Sequence, residues 1–200
     1  MKITDTWFYN TRLKNKTGLL NTLNSKLETK IDNTSTIMAG NPGIGKTTQA
    51  LLVCRDYINN NIDQWHNSLE PDFITFYDLV KNVKDSMFST NPNIKYNARV
   101  SLLDLETTKF LIIDDFKCEK LSNYEDKMIN DVLHNLLSNR YDNQDTTTTT
   151  IITTNNTEKQ IKDTSYSFMT PATTSRLFGL CNYTYTTGKD KRQNKKIINI

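Results

Sequence analysis

A glycine-rich loop between two apolar segments constrains the fold of this chain more than any other feature. The loop reads Gly40-Asn41-Pro42-Gly43-Ile44-Gly45-Lys46-Thr47, which satisfies the Walker A pattern G-x4-G-K-[ST]. Residues 36–39 before it read as a short buried strand, and apolar pairs after Lys46 recur every three to four positions, as in an amphipathic helix. A strand, this loop and a helix in succession predict a phosphate-binding P-loop.

The residue types of the loop suit a nucleotide. Glycines allow successive backbone N–H groups to curve around phosphates, and the following helix adds the positive end of its dipole. Lys46 is expected to reach the β- and γ-phosphates and Thr47 to ligate magnesium, so the sequence predicts ATP and Mg²⁺ as cofactors. The predicted nucleotide-binding residues here are Gly40, Asn41, Pro42, Gly43, Ile44, Gly45, Lys46, Thr47 and Thr48.

A second apolar segment ends in two carboxylates. Residues 110–113 form a continuous apolar run, as expected of a central parallel strand, and Asp114 and Asp115 follow directly. Carboxylates at the end of a buried strand are costly to desolvate unless a cation lies near. We interpret the segment as a Walker B motif in which Asp114 holds Mg²⁺ through water and Asp115 polarises the attacking water. The alternative is an ordinary surface turn.

A third strand end supplies an amide. The Thr- and Ile-rich residues 146–154 suit a strand that ends at Asn155. The Asn155 side chain can orient the water between the γ-phosphate and Asp115, although Asn at a strand end is also a common turn former. Because predicted strands and helices alternate, we expect an α/β fold of the P-loop NTPase type, a parallel sheet flanked by helices.

Several element boundaries can be predicted. Residues 73–76 read as a strand, followed by a helix up to a break at Asn91-Pro92. Ser122 with Glu125 three residues later has the pattern of a capping box that opens a helix. In front of the core, residues 1–35 form a polar lead. An amphipathic helix is predicted there from the spacing of Leu19, Leu20, Leu23 and Leu27.

Net charge and cysteine content limit the kinds of function that the sequence indicates. The net charge of +3, from 25 basic and 22 acidic residues, is too balanced to indicate a nucleic-acid partner by itself. Basic residues near both ends form either solvated faces or phosphate contacts. Cys54, Cys118 and Cys181 include no CxxC pair and indicate neither a zinc site nor a disulfide framework. Without a signal peptide or an apolar run of membrane length, we expect a soluble cytoplasmic protein with no membrane partner.

Taken together, these segments resemble the DnaC/DnaI-type helicase loaders and the related IstB transposition ATPases, both of the AAA+ class. Besides the strand and loop segments above, Ser175-Arg176-Leu177 and Gly188-Lys189-Asp190-Lys191-Arg192 carry the resemblance. It covers roughly residues 36–192, so we assign residues 36–200 to an AAA+ ATPase core.

The resemblance implies roles that the residues alone do not. Asn155 is implied as sensor 1 and Arg176 as the arginine finger that reaches a neighbouring subunit's nucleotide. Arg192 is implied as a sensor-2-like contact to the nucleotide, while Arg140 could contact a neighbour or DNA and receives no assignment. Most AAA+ ATPases have Glu where this chain has Asp115, so hydrolysis need not be fast.

The expected function is that of a homo-oligomeric ATPase that loads or remodels a replicative helicase on DNA, with single-stranded DNA as a second partner. The loaders carry a separate helicase-gripping domain, whereas only about 35 residues precede the core here. An IstB-like transposition helper has the same core. A thymidylate-like nucleoside monophosphate kinase is the third alternative, because Gly45-Lys46-Thr47-Thr48-Gln49 also reads like such a kinase. Those kinases need arginine-rich acceptor and lid segments, and the polar strand ends fit AAA+ better.

Overall fold

Strands and helices alternate along the part of the chain that the computed structural model describes, residues 34–60, 71–143 and 148–188. The predicted strands at the glycine loop, the two carboxylates and Asn155 are all present. The elements are β1 (Thr36–Gly40), α1 (Lys46–Asn60), β2 (Asp72–Thr75), α2 (Phe76–Phe88), α3 (Pro92–Thr107), β3 (Phe110–Phe116), α4 (Asn123–Asp142), β4 (Thr149–Thr154), α5 (Glu158–Lys162), α6 (Pro171–Leu180) and β5 (Asn182–Thr186).

The sheet order decides which strand ends meet. The strands run parallel in the order β2-β3-β4-β1-β5. Strand β4 therefore lies between β1, which leads into the glycine loop, and β3, which ends in the two carboxylates. Because the carboxyl ends of parallel strands lie at one edge of a sheet, the three polar segments predicted from the sequence are neighbours in space.

Both faces of the sheet are covered, which explains the continuous apolar run in β3. Ile112 belongs to a buried cluster with Leu51 and Tyr57 of α1. Its neighbours Leu111 and Ile113 belong to a second cluster, shared with α2 to α6 on the opposite face. The structure thus has the predicted α/β architecture, a parallel sheet between helical layers.

One predicted boundary is corrected by the structure. Phe76 does not extend a strand but begins α2, because the Thr75 hydroxyl accepts a hydrogen bond from the backbone N–H of Asp78 and caps the helix. Phe76 still behaves as a core residue, with its ring centroid 5.0 Å from that of Phe116. The predicted break at Asn91-Pro92 is confirmed, since α2 ends at Phe88 and Pro92 is the first residue of α3.

Ser122 caps α4 as predicted, but the capping box is only half formed. The Ser122 hydroxyl accepts from the backbone N–H of Glu125, at 3.3 Å. The Glu125 carboxylate bonds the Ser122 hydroxyl and the Lys84 ammonium instead of the Ser122 backbone. The complete box opens α5, where Thr157 and Gln160 cap each other's backbone N–H groups.

Several predictions lie outside the described residues. They concern the helix predicted in the N-terminal lead, the basic residues at the two ends and Arg192. Within the described residues, no helix is both long and apolar enough to cross a membrane. Cys54, Cys118 and Cys181 are free thiols, and burial raises the pKa of all three.

Candidate nucleotide-binding site

The glycine loop turns sharply between β1 and α1. Gly40, Gly43 and Gly45 have φ angles of 148°, 79° and 98°, a region that L side chains rarely adopt. At Gly40 a Cβ would also lie 2.2 Å from the carbonyl oxygen of Thr186 in β5. The close approach of β5 therefore requires glycine at this position. Asn41 and Pro42 are exposed at the tip, Ile44 is buried beneath it, and Thr48 lies in the first turn of α1.

The Lys46 ammonium connects the loop to the end of β4. It donates to the backbone carbonyls of Gly40, at 2.8 Å, and Asn41, at 3.0 Å. It also donates to Oδ1 of Asn155, at 2.8 Å, although the two residues are 109 positions apart in the chain. The structure thus brings together the lysine and the strand-end amide that the sequence predicts for one site.

Thr47 and Asp114 meet beside this lysine. The Thr47 hydroxyl donates to Oδ1 of Asp114 at 2.7 Å. The hydroxyl of Thr153 in β4 donates to the same carboxylate oxygen, also at 2.7 Å. Asp114 is only 6% exposed, so these charge-assisted hydrogen bonds stabilise a carboxylate that burial would otherwise destabilise.

A β-bulge places Asp115 differently from Asp114. Ile113 pairs with Ile152 and Phe116 with Thr154, so both aspartates lie opposite the single residue Thr153. Asp115 has a φ of 54°, and its backbone N–H donates to the Thr153 hydroxyl at 2.9 Å. Its carboxylate is 57% exposed and lies 3.8 Å from the Lys117 ammonium. The bulge thus buries one carboxylate and presents the next to solvent.

The residues present fit Mg²⁺ and a phosphate chain. A hydroxyl and a carboxylate 2.7 Å apart are hard oxygen ligands of the kind that magnesium prefers. Within the described residues, no group of three or more His, Cys, Asp or Glu side chains could hold a metal. A magnesium ion at Thr47 and Asp114 would therefore take its other ligands from water and phosphate oxygens. The N-terminus of α1 and the Lys46 ammonium supply the positive charge that phosphates require.

Arg176 is separate from this cluster. It lies in α6, and its guanidinium carbon is 5.0 Å from the ring centroid of Tyr141, at the end of α4. Among the described residues, the guanidinium forms no ion pair with a carboxylate and no hydrogen bond with Lys46, Asp114 or Asn155. Arg176 is therefore not part of the cluster formed by Lys46, Asp114 and Asn155.

Arg140, which the sequence left unassigned, is a structural residue. It is fully buried, and its guanidinium donates to the backbone carbonyls of Leu105, Thr108 and Thr149 and to the hydroxyl of Thr150. Burial lowers the pKa of Arg140 to about 10, so the side chain remains charged at neutral pH. It joins α4 to the end of α3 and the start of β4, which precludes contact with DNA or a neighbour.

Sequence reasoning missed Thr153 and Lys117. Thr153 lies in β4 one residue before its end and two positions before Asn155. That spacing is a signal, but it identifies a partner for Asp114 only when the pairing of β3 with β4 is known. Lys117 follows Asp115 by two positions, and the 3.8 Å between its ammonium and the Asp115 carboxylate is visible only in the structure.

Solved structures with a similar fold are known. No protein-family model and no curated protein sequence matches the chain. The chain is similar to the DnaC helicase loader, with a TM-score of 0.53, 19% identity and 86% of each chain covered. It is similar to DnaI, with a TM-score of 0.54, 16% identity, 92% of this chain and 87% of that chain covered.

The chain has an α/β P-loop NTPase fold, a parallel sheet flanked by helices, like that of these solved structures. The AMPPCP-bound DnaA of Aquifex aeolicus is also similar, with a TM-score of 0.51 and 11% identity over 85% of this chain and 43% of that one. In this chain the glycine loop follows β1, Asp114 and Asp115 lie at the end of β3, and β4 runs between these two strands.

Proposed function

We propose that this protein binds ATP and Mg²⁺ at residues 40–48 and hydrolyses ATP. The observation that carries the proposal is the cluster at the carboxyl ends of β1, β3 and β4. There the Lys46 ammonium bonds the Asn155 amide, and the Thr47 hydroxyl bonds the Asp114 carboxylate. The likeness to a DnaA structure that contains AMPPCP, an ATP analogue, supports a nucleotide at this place.

Each side chain has a distinct role in the proposed reaction. Lys46 neutralises charge on the β- and γ-phosphates, and Thr47 and Asp114 hold the metal. The metal, when bound, withdraws charge from the phosphate oxygens. Asp115 accepts a hydrogen bond from the attacking water, and the Asn155 amide orients that water. The 57% exposure of the Asp115 carboxylate is consistent with this role, because it leaves room for water.

We infer that Arg176 completes the site of a neighbouring subunit in a homo-oligomer. Its guanidinium is partly exposed and, within the described part of the chain, has no carboxylate partner that would neutralise it. A guanidinium delivered to a neighbour's γ-phosphate stabilises the charge that develops as the phosphoryl group transfers. Such a contribution is worth about 10³-fold or more in rate.

The proposed biological role is the loading or remodelling of a replicative helicase on DNA. Two of the solved structures with this fold are DnaC, named as a helicase loader, and DnaI. Single-stranded DNA is the second proposed partner, contacted by basic side chains. We place the protein inside the cell, where such partners are found. Arg192, outside the described residues, remains a proposed contact to the nucleotide.

A loading assay tests this role. The protein is mixed with the hexameric replicative helicase of the same genome and circular single-stranded DNA coated with single-strand-binding protein. The amount of helicase recovered with the DNA should rise when ATP is added to the wild-type protein. It should not rise when Lys46→Ala replaces the wild type. Filter binding to single-stranded DNA should weaken steeply with salt, because each neutralised phosphate releases counterion.

Other outcomes of these assays support the alternatives. ATP-dependent stimulation of a transposase encoded beside this gene, without helicase loading, supports the IstB-like helper. Phosphoryl transfer to thymidine monophosphate supports the kinase. No affinity for single-stranded DNA even at low salt contradicts the DNA contact and leaves a role on proteins alone.

A further inference from the structure

The ring of Tyr141 lies against two residues of α6. The Arg176 guanidinium lies over the ring, 5.0 Å from its centroid. Gly179, three residues later in α6, faces the ring edge, and a Cβ at Gly179 would lie 3.0 Å from Cε2 of Tyr141. Residues three apart in a helix share a face, so both positions of α6 are directed at the same ring.

Tyr141 offers Arg176 its ring face rather than its hydroxyl. The Tyr141 hydroxyl makes no hydrogen bond with any described residue, and the side chain is 37% exposed. A planar guanidinium stacks on an aromatic face and loses rotamer freedom when it does so. The contact therefore limits the directions in which Arg176 can extend from the surface of α6.

The absence of a side chain at Gly179 preserves this arrangement. A methyl group there would press on the ring at 3.0 Å and displace it by a few tenths of an ångström. Gly179 is exposed and lies within a helix, where glycine costs about 0.5–1 kcal/mol relative to alanine. The close approach of Tyr141 gives a physical reason for glycine at this helical position.

We propose that Tyr141 is the positioning residue of Arg176. Its ring holds the guanidinium at the surface of α6 in the orientation from which it enters a neighbour's nucleotide site. The proposal rests on the proposed action of Arg176 in trans. It adds that the end of α4 and one face of α6 form the part of the subunit that activates the next subunit.

Steady-state ATP hydrolysis with Tyr141→Leu and Tyr141→Phe tests the proposal. Tyr141→Leu should lower kcat about tenfold, the scale of a lost cation–π contact, with KM for ATP unchanged. Tyr141→Phe retains the ring face and should keep wild-type kcat. Tyr124→Leu removes another exposed tyrosine of α4, remote from Arg176, and serves as the control with unchanged kcat.

Assemblies that mix two variants distinguish a loss of Arg176 positioning from general damage to the Tyr141→Leu subunit. Tyr141→Leu subunits have an intact nucleotide site, so adding Lys46→Ala subunits, which carry intact Tyr141 and Arg176, should raise the activity. Adding Arg176→Ala subunits in place of Lys46→Ala should give no such rise. If Tyr141→Leu does not fold, Gly179→Ala replaces it and should lower kcat while ATP binding is retained.

The results distinguish this proposal from the one on which it rests. Wild-type kcat in both Tyr141→Leu and Gly179→Ala, with Arg176→Ala inactive, overturns the positioning role alone. A loss in Tyr141→Leu that Lys46→Ala subunits do not relieve also overturns it. Wild-type hydrolysis by Arg176→Ala overturns the action in trans, and the role of Tyr141 falls with it.

Discussion

At the scale of single residues, the backbone of Asp115 carries strain that a glycine would not. Its φ of 54° costs an L-residue roughly 1 kcal/mol relative to glycine. Asp115→Gly should therefore have a free energy of unfolding about 1 kcal/mol higher than Asp115→Ala. Urea unfolding of the two variants measures the difference, and neither variant should hydrolyse ATP because both lack the carboxylate.

The comparison with alanine matters because both variants lose the Lys117 contact equally. Equal unfolding free energies for Asp115→Gly and Asp115→Ala would show that the backbone at this position is not strained. Retained turnover in either variant would count against the carboxylate as the group that activates water.

Arg140 should prove important for stability and not for recognition. Arg140→Met leaves three buried carbonyls without their donor and should cost about 3 kcal/mol or more in unfolding free energy. Arg55→Met is the matched control, because Arg55 is partly exposed and paired with Asp56, and the expected loss is under about 1 kcal/mol. An Arg140→Met variant of wild-type stability but without DNA binding would contradict this assignment.

The residues of the candidate site could be proposed from the sequence, but their contacts could not. Lys46, Thr47 and Asp114 follow from motif spacing because phosphate and magnesium chemistry restricts which side chains can serve. Thr153 could not be identified as the partner of both Asp114 and Asp115, because strand register and the bulge depend on long-range pairing. Arg140 was left without a role because no local pattern distinguishes a buried guanidinium from one that contacts a neighbour or DNA.

At the scale of elements, the buried strands could be predicted from the sequence, but the exposed edge strand β5 could not. β3 is apolar because both of its faces are covered, and that pattern is visible in the sequence. β5 reads Asn-Tyr-Thr-Tyr-Thr and is mostly exposed, so it offers neither an apolar run nor a clean alternation. Phe76 was assigned to the wrong element because its apolar side chain suits a strand and a helix start equally.

The loop after β3 is stabilised by a carboxylate whose ionisation should be visible in unfolding. Burial raises the pKa of Glu119, but hydrogen bonds from the Asn156 amide and the Tyr166 hydroxyl outweigh it, and the pKa lies below its ordinary value of 4.5. Between the folded pKa and 4.5 the unfolded chain binds more protons. Stability due to Glu119 is therefore present above pH 4.5 and lost as the pH falls through the folded pKa.

The free energy of unfolding of wild type and Glu119→Gln, measured between pH 7 and pH 3, tests this pH dependence. The wild type should lose stability more steeply than Glu119→Gln as the pH falls below about 4.5. Curves of equal steepness would mean that these hydrogen bonds do not favour the ionised carboxylate.

At the scale of the whole molecule, sheet order turns three separate motifs into one site. The sequence predicts a parallel sheet but not its order, because order is fixed by packing between distant segments. With β4 between β1 and β3, Asn155 can reach Lys46 across 109 positions of chain. The site is thus a consequence of topology, whereas its chemistry is a consequence of residue type.

Assembly is the second property at this scale. If Arg176 acts in trans, Arg176→Ala should bind ATP normally but hydrolyse it slowly, and wild-type activity per subunit should rise with protein concentration. Mixing Arg176→Ala with Lys46→Ala should restore part of the activity, because one subunit supplies the site and the other the guanidinium. An inactive mixture, or a fully active wild-type monomer, would contradict an active site shared between subunits.

The central claim is that residues 40–48, Asp114, Asp115 and Asn155 bind and hydrolyse ATP. Its most direct test is to measure ATP affinity and turnover together in wild type, Lys46→Ala and Asp115→Asn. Wild type should bind and hydrolyse ATP in the presence of Mg²⁺. Lys46→Ala should lose ATP binding because the charge partner of the phosphates is gone. Asp115→Asn should bind ATP but not hydrolyse it. Undiminished ATP binding by Lys46→Ala, or equal hydrolysis by wild type and Asp115→Asn, would contradict the account.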